Sequence, residues 1–145
     1  MSYNGTTNSY DLKYLCHIHK YLFSDIFDWA GELRKVDISK GSTKFANFQY
    51  IESSWNDYVS NKIKNLNNSN DKIYTLAEIL SEINIIHPFR EGNGRVVRIF
   101  ITQLAKTVGI NLNWNLVTEE ENLNASILSI ANPEPMARLL KKCII

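Results

Sequence analysis

The sequence has little of what marks several specialised classes of protein. It contains two cysteines among 145 residues, Cys16 and Cys143, whereas small domains held together by disulfides carry more of them at closer spacing. No apolar run approaches the ~20 residues of a membrane-spanning helix. The polar N-terminus also lacks the apolar core of a signal peptide. These absences predict a protein of the reducing cytoplasm with no membrane partner.

The chain carries no excess of one charge. Its net charge is +1, and 21% of its residues are charged. Nucleic-acid binding needs a concentrated basic surface, so we expect no nucleic-acid partner. The three prolines and six glycines form no linker, and 44% of the residues are hydrophobic. This content is enough to bury a core and predicts a single domain over residues 1–145.

Apolar residues recur at helical spacing in most of the chain. The predicted helices cover residues 11–23, 50–66, 71–86, 95–108, 118–130 and 135–143. Asn8 or Ser9 is the expected N-cap of the first helix. Thr118 and Glu121 have the spacing of a capping box at the start of the fifth.

One short β-hairpin interrupts this helical pattern. Val36 and Ile38 alternate with polar neighbours, Lys40-Gly41-Ser42 resembles a turn, and Phe45 follows it. The chain is therefore predicted to be an all-α domain with one small hairpin.

The segment from His87 to Arg98 differs in composition from the rest. It reads His-Pro-Phe-Arg-Glu-Gly-Asn-Gly-Arg-Val-Val-Arg. Pro88 ends the preceding helix, because the residue before a proline avoids the α region. Gly92 and Gly94 permit backbone conformations that a side chain forbids. The next helix then begins at about residues 93–95, and its free N–H groups and positive dipole end form an anion-binding site.

Four side chains near this helix start have matching chemistry. Arg95 and Arg98 are three residues apart, so they project from nearly the same face and can hold a polyphosphate. Glu91 is a lone carboxylate of the kind that binds Mg²⁺ together with phosphate oxygens. His87 can accept a proton near neutral pH. Each feature alone has an ordinary structural explanation, but their combination favours a phosphate site. The chain has no P-loop, since Lys40-Gly41-Ser42 has the wrong order and spacing.

This segment resembles the signature of the Fic family, His-Pro-Phe-x-(Asp/Glu)-Gly-Asn-Gly-Arg-x-x-Arg, and agrees with it at all nine defined positions. The likeness extends to residues 27–34 and to residues 38–46, which resemble the family's hairpin, called the flap. In all it spans roughly residues 10–140. The resemblance implies the Fic fold, with a helical core of about six to eight helices and the flap beside the motif.

The resemblance also implies a protein adenylyltransferase, which moves AMP from ATP to a Ser, Thr or Tyr hydroxyl of a target protein. His87 would take the hydroxyl proton, and Glu91 would hold Mg²⁺. The target would add an extended segment to the flap. The residues implied to bind the nucleotide and the target are Gly92, Asn93, Gly94, Arg95 and Arg98 of the motif and Lys40, Gly41 and Phe45 of the flap. The adenine pocket is expected near residues 123–128.

Two other functions stay open at this point. One is a different transfer on the same scaffold, of UMP, GMP, phosphocholine or phosphate. Relatives that transfer a phosphoryl group depart from Gly-Asn-Gly, and this chain does not. The other is a nucleotide-binding regulator without catalysis, against which the presence of His87 and Glu91 argues.

The resemblance to the family also implies a way of inhibiting the enzyme. Family members are held inactive by a helix bearing (Ser/Thr)-x-x-x-Glu-(Gly/Asn), and the Glu of this helix pairs with the second arginine of the motif, here Arg98. No Ser or Thr of this chain has a Glu four residues later; Thr7 with Asp11 and Ser53 with Asp57 carry Asp instead. We therefore expect a small antitoxin-like protein that supplies the Glu in trans. The alternatives are an inhibitory helix outside this sequence and an enzyme with no restraint. An enzyme that an antitoxin restrains is itself a toxin. We expect this toxin to act in the cytoplasm, either of its own cell or of a host cell that receives it.

Overall fold

Helices form most of the chain, as the periodicity predicts. The computed structural model describes residues 9–145, in which the elements follow in the order α1 (Leu12–Phe23), β1 (Ser39–Lys40), β2 (Thr43–Lys44), α2 (Ile51–Ser54), α3 (Ser60–Asn65), α4 (Lys72–Ile86), α5 (Asn93–Lys106), α6 (Glu119–Leu128) and α7 (Glu134–Cys143). The predicted all-α fold with one small hairpin is confirmed. Within residues 9–145, every helix is too short or too polar to cross a membrane.

The helix starts follow local capping chemistry, with one correction to the prediction. The N-cap of α1 is Asp11, whose carboxylate accepts a hydrogen bond from the Tyr14 N–H at 2.8 Å. Asp11 directly precedes the first helical residue, which Ser9 does not; Asn8 lies outside the described residues. The capping box of Thr118 and Glu121 is present at the start of α6, with both of its hydrogen bonds formed.

The helix predicted over residues 50–66 is an unbroken run of helical segments but not a uniform α-helix. It opens with a 3₁₀ turn, Phe48–Tyr50, and a π-helical segment, Trp55–Val59, joins α2 to α3. A π-helical turn holds an extra residue, which rotates the side chains beyond it around the helix axis. Trp55 and Val59, at its two ends, are both buried. A repeat of apolar residues does not distinguish this arrangement from a regular α-helix.

The core lies between α1, α4, α5 and α7 and fixes the position of the motif. Helix α4 packs against α5 and α7, and α1 packs against α5. The inward side chains of α4 and α5 are fully or almost fully buried: Leu76, Ala77, Ile79, Leu80, Ile83 and Ile86 in α4, and Val96, Val97, Phe100, Ile101 and Leu104 in α5. Each large apolar side chain contributes on the order of 1.5–3 kcal/mol when buried. The motif loop, between these two helices, is therefore held at both ends.

The flap is a short antiparallel hairpin, in which Ser39 pairs with Lys44 and Lys40 pairs with Thr43. Its paired strands are shorter than the alternation of Val36 and Ile38 suggests, because both residues precede β1. The turn passes through Gly41, whose φ of +57° lies in the left-handed region that favours glycine.

Candidate active site

The loop between α4 and α5 makes two sharp backbone changes. His87 caps the C-terminus of α4 in the left-handed conformation, with φ of +48°, and its N–H donates to the Ile83 carbonyl at 2.8 Å. Pro88 follows and prevents the helix from continuing. Gly92, with φ of +81°, precedes Asn93, the first residue of α5. A Cβ at position 92 would lie 2.4 Å from Cε2 of Phe23, so glycine is required there by contact as well as by conformation.

Asn93 connects this loop to the catalytic candidate His87. Its Oδ1 accepts the N–H of Phe89 at 2.9 Å, which fixes the orientation of the amide. Its Nδ2 then donates to the Phe89 carbonyl at 2.7 Å and contacts Nε2 of His87 at 3.1 Å. Because Nδ2 can only donate, Nε2 of His87 is the acceptor and carries the lone pair. The imidazole is therefore neutral, with its proton on Nδ1.

The surroundings of His87 also favour the neutral form. Its ring stacks on Phe45 of the flap, with centroids 3.8 Å apart and planes 7° from parallel. Burial, and then the positive charges of Lys40 and Arg34, lower the pKa of His87 to about 4. At neutral pH this imidazole is therefore unprotonated, as a general base must be before the reaction.

A cleft of about 470 Å³ opens beside His87, between the flap, the motif and α6. Its lining includes Asn93 and Gly94 at the N-terminus of α5, where the helix dipole favours negative charge. It also includes Leu123 and Ile127 of α6, apolar side chains that suit a nucleotide base. The cleft is lined by Lys40, Thr43, Lys44 and Phe45 of the flap, Asn84, Ile85, His87, Asn93, Gly94 and Arg98 around the motif, and Glu119, Asn122, Leu123, Ser126, Ile127 and Ile130 in and after α6.

The structure brings six of the predicted site residues to this cleft and leaves four others outside its lining. Those that line it are Lys40, Phe45, His87, Asn93, Gly94 and Arg98. Gly41 forms the flap turn, Gly92 faces Phe23, and the Glu91 side chain is exposed. The Arg95 guanidinium lies 5.4 Å from the Phe23 ring centroid. The roles of all ten residues in binding or catalysis stay predictions.

Arg98 is the positive side chain of α5 that faces the cleft. It packs so closely over the first turn that a Cβ at Gly94 would lie 3.1 Å from its Nη1. Burial lowers the pKa of Arg98, as does Arg95 to a lesser degree, while Glu119 raises it. A cation beside a helix N-terminus is unfavourable in isolation. An anion between Arg98 and the N–H groups of α5 would remove that conflict, so the arrangement is suited to phosphate.

His19 supports the motif loop, a role that was not predicted from the sequence. It is fully buried, its Nε2 donates to the Glu91 carbonyl at 2.9 Å, and its Nδ1 accepts the N–H of Gly31 at 2.9 Å. Its ring stacks on Phe89, with centroids 4.2 Å apart. The sequence did contain a signal for this role. His19 lies four residues after Leu15, on the inward face of α1, and a buried polar side chain needs hydrogen-bond partners.

We expect His19 to make the protein sensitive to acid. Burial lowers its pKa, so the unfolded state takes up the proton more readily than the folded state. The contribution of neutral His19 to the stability of the folded state is therefore complete above the ordinary histidine pKa. It is lost as the pH falls below that value. The amide of the variant His19→Gln can still donate and accept hydrogen bonds. Between about pH 7.5 and 5, the melting temperature of this variant should fall by a few °C less than that of the parent protein. His17→Gln serves as the control, and an equal acid sensitivity of His19→Gln and the parent protein would contradict the assignment.

Comparisons with known proteins place the chain in a family. A family model described as Fic/DOC family matches residues 9–105. The protein adenylyltransferase VbhT of Bartonella schoenbuchensis is 36% identical over 141 residues, which cover 94% of this chain and 30% of that protein. A protein adenylyltransferase of Bartonella henselae is 33% identical over 153 residues, covering 91% of this chain and 28% of that protein. The chain thus spans less than a third of these two relatives.

A solved structure shows the same fold. It is the N-terminal Fic domain of a VirB-translocated Bep effector protein from Bartonella quintana, with bound ADP. The two structures superpose with a TM-score of 0.86 at 26% sequence identity, over 98% of this chain and 76% of the other.

Proposed function

The chain belongs to the Fic/DOC family, and on that premise we propose that it is a protein adenylyltransferase, which transfers AMP from ATP to a Ser, Thr or Tyr hydroxyl of a target protein. The observation that carries this proposal is the lone pair on Nε2 of His87, held by Asn93 beside the N-terminus of α5. A neutral base next to an anion-binding helix start suits the attack of a hydroxyl on a phosphate. The names of the relatives and the ADP bound to a homologous domain support it.

In the proposed reaction, the Asn93 N–H moves away from Nε2 of His87, and the lone pair that this frees takes the proton from the target hydroxyl. The hydroxyl oxygen forms a bond to the α-phosphorus of ATP, the bond from that phosphorus to the bridging oxygen breaks, and pyrophosphate leaves. The N–H groups at the start of α5 stabilise the charge that develops on the phosphate oxygens. Arg98 would hold the β- and γ-phosphates, and α6 would hold the adenine, with Leu123 and Ile127 against the base.

Glu91 is the proposed magnesium ligand. Its side chain is exposed at the motif loop, while its carbonyl is fixed by His19. The described residues hold no group of three metal-binding side chains. Mg²⁺ in nucleotide sites commonly needs only one or two carboxylates besides phosphates and water, so the donor set fits. When bound, Mg²⁺ supplies positive charge to the leaving pyrophosphate. We expect Glu91→Gln to require more Mg²⁺ for half-maximal transfer, whereas Glu120→Gln, an exposed acid of α6, should behave like the parent.

The edge of the flap is the proposed docking site for the target main chain. A peptide that pairs with a strand edge gains hydrogen bonds without strong demands on its sequence. Lys44→Pro removes an N–H from β2 and should impair modification of a protein more than it impairs ATP binding. Lys44→Ala, which keeps the N–H, separates this effect from loss of the side chain. Equal losses in both assays would count against docking on the flap.

We also propose that a small antitoxin-like protein restrains the enzyme by presenting a Glu to Arg98. This rests on the missing inhibitory motif and on the position of Arg98 in the cleft. Expression of the chain alone should then be toxic or produce AMP-modified proteins, and co-expression of the inhibitor should suppress both. If the purified, folded chain is inactive with ATP and Mg²⁺, the restraint lies elsewhere and this proposal fails.

Mass spectrometry is the direct test of the activity. The chain is incubated with a cell lysate, Mg²⁺ and each of ATP, GTP, UTP and CDP-choline in turn. Addition of AMP to a protein hydroxyl, from ATP and not in EDTA, is the expected result. Addition of a different group identifies another transfer on the same fold. If the chain binds ATP but no group is added to a lysate protein or to the chain itself, the protein is a nucleotide-binding regulator.

A further inference from the structure

Arg34 takes no part in the reaction proposed above. It is nevertheless the most buried charged side chain beside the site. The residue is 2% exposed. Its nearest carboxylate, Asp37, is 3.9 Å from Nη1 and is itself largely exposed. Asp37 also accepts the N–H of Phe48 at 2.9 Å. A buried guanidinium needs compensation, and here backbone carbonyl groups supply most of it.

The carbonyl groups around Arg34 come from two separate segments. Nε donates to the His87 carbonyl at 2.7 Å, and Nη2 donates to the Ile86 carbonyl at 3.0 Å, both at the end of α4. Nη1 donates to the Val36 carbonyl at 2.7 Å, and Nη2 also donates to the Ala46 carbonyl. Val36 and Ala46 lie on either side of the paired strands of the flap. One side chain therefore binds both stems of the flap to the end of the helix that carries the catalytic base.

Backbone hydrogen bonds continue the same connection. The N–H of Arg34 donates to the Pro88 carbonyl at 2.9 Å, and the N–H of Ala46 donates to the Ile85 carbonyl at 3.1 Å. Arg34 thus binds the carbonyl groups of both His87 and Pro88. His87 has the left-handed backbone that is costly for a residue with a side chain. Its conformation persists because neighbouring groups hold it, and Arg34 supplies two of those contacts.

We propose that Arg34 is a positioning residue that couples the flap to the catalytic base. By holding the flap stems and His87 in one network, it keeps Phe45 stacked on the imidazole and sets the distance between a target docked on the flap and Nε2. The geometry requires a guanidinium, because its planar fork of five N–H donors reaches four carbonyl groups at once. Lysine at this position would keep the charge but could not reach both segments. The consequence for catalysis rests on the proposed transferase function; the coupling itself does not.

The first test is made on the structure of the variants Arg34→Lys and Arg34→Gln, with the exposed Arg138→Gln as the control. Two-dimensional NMR of the three histidine rings is recorded, and His87→Gln assigns the His87 signal. In the Arg34 variants, the upfield shift that Phe45 causes at His87 should be lost. Hydrogen exchange at the Ala46 amide should accelerate about tenfold or more. The control should change neither. A folded Arg34→Lys or Arg34→Gln protein with an unchanged His87 signal and unchanged Ala46 exchange overturns the proposal.

The parent protein provides a measurement that does not depend on a variant folding. If the network is one unit, the amides of Arg34 and Ala46 should exchange with the same opening free energy, and the Arg34 Nε–H should be protected. Exchange of Ala46 that is about tenfold or more faster than that of Arg34 would overturn the coupling.

Activity gives a third measurement of the same coupling. Arg34→Lys should lower kcat about 100-fold, because small misplacement of reacting groups is costly, and leave ATP affinity within about threefold. Transfer at the parent rate by Arg34→Lys would likewise overturn the proposal. Inactivity of the parent protein itself would refute the transferase function, and the NMR and exchange results would still decide the coupling.

Discussion

Replacement of His87 by alanine should abolish AMP transfer and leave ATP binding nearly intact. In the proposed reaction the imidazole acts on the target hydroxyl, whereas α5, Arg98 and α6 would hold the nucleotide. Loss of a general base costs on the order of 10²–10⁴ in rate. The measurement is kcat for transfer to a modified lysate protein, together with the Kd of ATP by calorimetry. We expect the Kd to change by less than about threefold, since less than ~1 kcal/mol of binding should be lost.

The control for this variant is His17→Ala, which removes an exposed histidine from the outer side of α1. It should transfer AMP at the parent rate. A His87→Ala protein that retains near-parent transfer would remove His87 from the base role. A variant that loses transfer and ATP affinity together would show that His87 serves mainly to shape the cleft.

The pH profile provides a further check on the same residue. Only the unprotonated imidazole can accept the hydroxyl proton, so activity is lost as the pH falls through the pKa of His87. Burial and the positive charge of Lys40 and Arg34 lower that pKa to about 4 in the free protein. A polyphosphate beside Lys40 would offset part of the positive charge and raise the pKa. The acid limb of kcat should therefore lie at higher pH than the acid limb of kcat/KM, which reports the free enzyme.

The sequence predicts which residues lie together at the cleft where those residues are contiguous in the chain. His87, Asn93 and Arg98 belong to one short motif, and local rules place them: proline ends one helix, glycine starts the next, and helix spacing sets the side-chain direction. The predicted flap and capping box are confirmed for the same reason. Their signals lie within a few neighbouring residues.

The parts that the sequence does not reveal depend on contacts between distant segments. Arg34 binds His87 across 53 positions, and His19 binds Glu91 across 72. The position of His19 on the inward face of α1 shows that it needs a partner, but no neighbouring residue indicates which distant residue supplies the partner for His19 or for Arg34. The divergence of Arg95 from Arg98 has the same origin. Helical spacing places both on nearly one face, but Phe23 of α1 attracts the Arg95 guanidinium, while Arg98 turns over Gly94.

Because Arg98 turns towards the cleft, its replacement should strongly weaken ATP binding. Its guanidinium lines the cleft at the N-terminus of α5, where charge-assisted hydrogen bonds to phosphate would form. Such bonds contribute about 1.5–3 kcal/mol, so Arg98→Gln should weaken ATP binding by about 10–100-fold. AMP lacks the phosphates that Arg98 is proposed to hold, and its Kd should change by less than about threefold, for a lost contribution under ~1 kcal/mol. Calorimetry with ATP and AMP gives both values on one protein.

Arg95→Gln is the matched variant, because it removes the same group from the same helix turn but from a side chain that lies beside Phe23. The family signature assigns phosphate binding to both arginines, whereas the structure directs only Arg98 into the cleft. We therefore expect a smaller loss of ATP affinity in Arg95→Gln than in Arg98→Gln. A larger loss at Arg95 would mean that its guanidinium leaves Phe23 when ATP binds. Equal losses of ATP and AMP in Arg98→Gln would place its contact at the α-phosphate or the nucleoside, and the proposed position of the β- and γ-phosphates would be wrong.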